Sequence, residues 1–68
     1  MDSRSLIVQM DRIARSKGLT QSEWSRRAGY ATNGQTVSRM LSKGDCRVST
    51  LLAMLDAIGC GIEIKEDA

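Results

Sequence analysis

Proline, histidine and phenylalanine are absent from this sequence, and each absence excludes something. With no proline, and with glycines set singly between periodic segments, short helices are favoured over a sandwich of strands. With no histidine, a zinc site lacks ligands and the commonest general base is missing. Trp24 and Tyr30 are the only aromatics, so the core must be mostly aliphatic. Cys46 and Cys60 are far apart and form no C-x-x-C pair; free thiols of a reducing compartment are expected, although an exposed one could crosslink two copies in air. No signal peptide and no bilayer-length apolar run is visible, so a soluble, cytoplasmic protein is expected. No buried-looking carboxylate pair, no glycine-rich phosphate loop after a strand, and no evident base for a serine or cysteine nucleophile can be found. The expectation is a non-enzyme with no cofactor and no metal.

What is present fits one domain spanning residues 1–68, near the lower size limit for folding without a staple. Net charge is only +2, but it is unevenly distributed. From Arg12 to Arg47 there are eight basic residues against Glu23 and Asp45, while Glu63, Glu66 and Asp67 make the tail mildly acidic. A basic body with an acidic end suits a polyanion facing one side, though a solvated helix face often looks the same.

Apolar spacing predicts four helices, at about 5–17, 20–28, 34–43 and 47–58. In the first, Leu6, Ile7, Met10, Ile13 and Ala14 form a buried stripe, with Asp11, Arg12, Arg15 and Lys17 on wet faces. The second is marked at both ends. Thr20 and Glu23 have capping-box spacing, Ala28-Gly29 closes the segment, and Trp24 and Ala28 share its buried face. The third is capped by Thr32 or Asn33 and buries Val37, Met40 and Leu41. The fourth turns Val48, Leu51, Leu55 and Ile58 to the core, and Leu52, Ala53, Met54 and Ala57 widen its apolar surface. From Cys60 the period changes to two, as in a half-buried strand over 60–65.

Two short helices around a glycine-bearing turn are the pattern of a helix-turn-helix. "LTQSEWSRRAG" resembles the second-helix motif of the phage repressor/Cro-like, or XRE-type, family, usually L-T-Q-x-x-L-A-x-x-A-G. "QTVSRMLSKG" is similar to its recognition helix and "STLLAMLDAIG" to the helix that follows. The likeness runs from Leu6 to Gly59. It departs from the pattern at Trp24, where leucine is usual, and at Ser25, where alanine is usual and a buried hydroxyl would bond back along the helix. The turn before the third helix is two residues longer than the common form, and the loop after it is shorter. The resemblance implies an all-α, four-helix lambda-repressor-like fold that binds double-stranded operator DNA.

In such a motif the third helix enters the major groove with its N-terminal end towards the bases. Gln35 has the amide for adenine, Arg39 the fork for guanine, and Thr36 a methyl for thymine or a hydroxyl for other edges. Gln21, at the positive end of the second helix, suits a phosphate. Arg26, Asn33, Gly34, Ser38, Lys43 and Arg47 complete the candidate backbone contacts, Gly34 by allowing close approach. Each has a plainer alternative. Gln35 could be only a capping residue, Arg39 a solvated arginine, and Ser38 a packing contact with the second helix; Arg26 and Arg27 cannot both reach one phosphate. Trp24 is assigned to the core rather than to base stacking.

The terminal strand needs a partner that one chain does not offer, and a second copy is the simplest. Met54, Ile58, Cys60, Ile62 and Ile64 are the candidate dimer interface. The expected function is a homodimeric transcriptional regulator, either a repressor or an antitoxin-type autoregulator. The alternative is a protein-interaction module of the same fold that docks a toxin or transcription-machinery partner. Its activity would survive loss of Gln35 and Arg39.

Overall fold

The computed structural model describes residues 2–30 and 34–66, and their secondary structure is entirely helical: α1 (Ser3–Ser16), α2 (Gln21–Arg27), α3 (Gln35–Lys43) and α4 (Val48–Ala57). α1 begins two residues before the expected start. The Asp2 carboxylate accepts a hydrogen bond from the Ser5 N–H at 2.7 Å, so the helix is nucleated by a polar cap that apolar spacing does not register. The capping box of α2 forms as its sequence indicates. Thr20 Oγ1 accepts from the Glu23 N–H at 3.1 Å, and Glu23 Oε1 accepts from the Thr20 N–H at 3.3 Å.

α3 starts differently from expectation. Its cap is Gly34, in the left-handed region at φ +75°, with no side-chain cap bond, rather than Thr32 or Asn33. The physical reason is proximity. A Cβ at residue 34 would stand 3.3 Å from Gln21 Cβ and 3.5 Å from the Ser22 backbone nitrogen, so a bare Cα lets α3 begin against the first turn of α2.

α1 packs against α3, and α2 packs against both α3 and α4. The core is Ile7, Met10, Ala14, Leu19, Trp24, Val37, Met40, Met54, Leu55 and Ile58. Trp24 fills its centre and donates its indole N–H to the Met54 carbonyl at 2.8 Å, which ties α2 to α4; such a bond contributes about 1 kcal/mol net. Leu6, Ile13, Ala28, Leu41 and Leu51 are only partly buried around this cluster.

Three expectations about faces are corrected. Asp11 is buried rather than wet, held by Arg15 Nε at 3.0 Å one turn along α1. Val48, the first residue of α4, is exposed, and Met54 lies in the core. Ser25 is buried, but its Oγ has no hydrogen-bond partner among the described residues, so the expected back-bond along the helix is not made.

After α4, Gly59 turns the chain at φ +72° and the Cys60 N–H bonds the Leu55 carbonyl at 2.9 Å. Among the described residues no strand follows. The expected strand over 60–65 is absent within the single chain because nothing among those residues offers a ladder of backbone partners.

Candidate nucleic-acid interface

α3 buries Val37 and Met40 and turns its opposite face to solvent. Gln35, Ser38, Arg39 and Ser42 are all exposed, and their spacing places them together on that outer face. Ser38 is therefore on the surface rather than packed on α2. Beside this face runs a groove of about 440 Å³ lined by Tyr30, Thr36, Arg39, Met40, Lys43, Asp45, Cys46, Arg47 and Thr50. The fold thus brings four of the expected contact residues, Thr36, Arg39, Lys43 and Arg47, to one place. Their three cations outnumber the one carboxylate of Asp45, so the groove favours an anion.

The wall of the groove is fixed by polar contacts. The Tyr30 hydroxyl donates to Thr50 Oγ1 at 3.3 Å, joining the turn after α2 to α4. Asp45 Oδ1 accepts from the Cys46 N–H at 2.8 Å. Burial, with the Asp45 charge beside it, pushes the Cys46 thiol above its ordinary pKa, so it stays a neutral thiol at physiological pH. α4 begins beside this groove, with no side-chain cap at Arg47.

The remaining expected contacts are placed differently. Gln21 is half-buried, with its Cβ beside Gly34. Gly34 is buried, and the close approach it permits is to α2 rather than to a ligand. Arg26 and Arg27 are exposed near the C-terminal end of α2, and neither lines the groove. Glu23 shares that helix, and its carboxyl is held below the usual carboxylate range by the hydrogen bonds of Thr20, with the nearby arginines adding to the effect. Asn33 lies outside the described residues. Of the candidate dimer residues, Met54 and Ile58 are core side chains and unavailable to a partner; Cys60 is half-buried, and Ile62 and Ile64 are exposed.

Sequence reasoning missed the residues that hold α3 from behind. Ser3 Oγ donates to the Gly44 carbonyl at 2.5 Å, and an Arg4 guanidinium nitrogen donates to the Leu41 carbonyl at 3.1 Å. The start of α1 therefore supplies donors for the last carbonyls of α3. Lys17 does the same for α4, donating to the Ile58 carbonyl at 2.6 Å. These contacts join positions about 40 residues apart in sequence, and spacing within one helix carries no trace of them.

A second hollow, of about 580 Å³, is lined by Arg4, Ser5, Val8, Gln9 and Arg12, all from α1, so it is a dent along one helix and no meeting place of elements. Among the described residues no group of three or more His, Cys, Asp or Glu could hold a metal ion, and no helix is long and apolar enough to cross a membrane. No protein-family model, curated protein or solved structure matches the chain.

Proposed function

We propose that this chain binds double-stranded DNA through α3 and acts as a homodimeric transcriptional regulator, a repressor or an antitoxin-type autoregulator. On this reading the chain is a helix-turn-helix domain of the phage repressor/Cro-like type. The observation that carries it is the pairing of an outward α3 face, bearing Gln35 and Arg39, with the basic groove of Arg39, Lys43 and Arg47 beside it. Gln35 and Arg39 have the amide and the fork that read adenine and guanine edges, with Thr36 at the rim of the groove. Lys43 and Arg47 neutralise phosphates and hold the helix in register without reading sequence. Gln21 lies close to the start of α3, where a backbone contact would help set its depth. The sharply defined ends of α2 have a use here, because α3 is seated on the first turn of α2 and inherits its orientation from it.

Fluorescence anisotropy with a labelled mixed-sequence duplex across a salt series tests this. Non-specific affinity should be on the order of 10⁻⁴–10⁻⁶ M and should fall steeply with salt. Lys43→Ala/Arg47→Ala should weaken binding and reduce the log–log salt slope by about two, one for each phosphate left without its cation. Gln35→Ala/Arg39→Ala should also weaken binding and abolish preference among selected sequences. Wild-type protein that fails to bind even at low salt would overturn the reading.

A second reading has one observation in its favour. Val48, Leu52, Ile62 and Ile64 are exposed large apolar side chains, and a toxin or a component of the transcription machinery could dock there. That activity would be indifferent to Gln35 and Arg39.

A further inference from the structure

The tail beyond Cys60 is unlike the rest of the surface. Ile64 is 92% exposed and Ile62 is 52% exposed, and they alternate with Gly61, Glu63 and Lys65. From Gly61 to Glu66 no backbone N–H donates to another described residue. An alternating segment with an unpaired backbone is a template for another strand. We propose that two tails pair as an antiparallel ribbon whose two-fold axis passes through Ile64, a proposal that rests on the homodimer reading above.

The register follows from the charges. In an antiparallel pair, directly opposed residues lie on the same face of the ribbon. An axis midway between two residues would put the isoleucines of one copy on the charged face of the other. An axis through Glu63 or through Lys65 sets a charge directly against its own copy, which repels. An axis through Ile62 opposes Glu63 to the other copy's Gly61 and leaves the charges without partners. An axis through Ile64 opposes Glu63 to the other copy's Lys65, and symmetry makes that pair twice. Ile64 then meets its own copy across the axis, and each Ile62 stands opposite the other copy's Glu66 and diagonal to its Ile64. The most exposed large apolar side chain among the described residues is covered at the centre.

A two-stranded ribbon alone is marginal in water, so the helical bodies must contribute. Val48, 69% exposed, and Leu52, 50% exposed, stand one turn apart on the same side of α4 and supply the apolar surface for it.

The test is sedimentation equilibrium on the full chain, with no DNA present. Wild type should be dimeric, and Glu63→Lys and Lys65→Glu should each weaken the dimer on the order of tenfold by turning two attractive pairs into two repulsive ones. The double exchange Glu63→Lys/Lys65→Glu should restore it. In a Cys46→Ser/Cys60→Ser background, Ile64→Cys should crosslink across the axis on mild oxidation and Ile62→Cys should not. A wild-type dimer that ignores both single reversals, or that crosslinks only through Ile62→Cys, would refute this register and leave the homodimer standing. A wild-type chain that stays monomeric at high concentration would remove both.

Discussion

Ser25 is fully enclosed in the interior. Its position in α2 is one where a methyl would suffice, and the hydroxyl is buried with no partner among the described residues. A buried donor left unmade costs about 1–3 kcal/mol relative to its hydrated state. Ser25→Ala removes the hydroxyl and leaves a side chain of nearly the same shape. It should raise stability by about 1 kcal/mol, seen as a higher urea midpoint with an unchanged slope. DNA affinity should not move, because Ser25 faces the interior. A lower midpoint would mean that the hydroxyl is satisfied after all, and the back-bond expected along the helix would return. Burial of Ser25 was legible only through the resemblance, in which alanine is usual at that position. Whether a buried hydroxyl meets a carbonyl depends on local angles, which sequence does not express.

At the scale of elements, the legible features were those written within a few residues of each other. Thr20 and Glu23 specify the start of α2, and both bonds of the box form. Apolar spacing put the ends of all four helices within two residues of where they fall. What was not legible was support from distant elements. The end of α3 rests on Gly44 at φ +67°, where an added Cβ would stand 2.7 Å from the Arg4 guanidinium carbon. Gly44→Ala therefore combines left-handed strain with displacement of the side chain that caps Leu41. The strain alone costs about 1–2 kcal/mol. In an Arg4→Ala background the space is already open, so Gly44→Ala should cost less there than in wild type. A double-mutant cycle by urea denaturation should return a coupling of about 0.5–3 kcal/mol. Additive effects would mean that Arg4 swings away freely and is no part of what holds α3. The same principle explains the missed cap of α3. Gly34 is chosen by its contact with Gln21 and Ser22 of another helix, and local capping rules point elsewhere.

At the scale of the whole molecule, the difficulty was deciding which apolar residues of α4 belong to this chain and which to a partner. The helix is apolar on more than one side, so the sequence put Val48 in the core, Met54 in the interface and Ile58 in both, with Leu52 widening the apolar surface. The fold divides them. Met54 and Ile58 close the core over Trp24, whereas Val48 and Leu52 remain outside. Two substitutions only two residues apart should therefore have opposite consequences. Met54→Ala should destabilise the folded chain by about 2–5 kcal/mol, because it empties a fully enclosed site. Leu52→Lys should change unfolding by no more than about 0.5 kcal/mol when measured at concentrations where the protein is monomeric. Its effect should appear in sedimentation instead, as a shift from dimer to monomer, because a charge placed in an apolar contact is costly without a partner. The proposed DNA binding would link the two scales. Two domains on one two-fold engage their half-sites together, so a monomerising substitution far from α3 should weaken binding to a symmetric site while leaving the affinity of each single domain intact. If Leu52→Lys stays dimeric, the tails alone hold the copies together, and the exposed strip on α4 is free for a different protein.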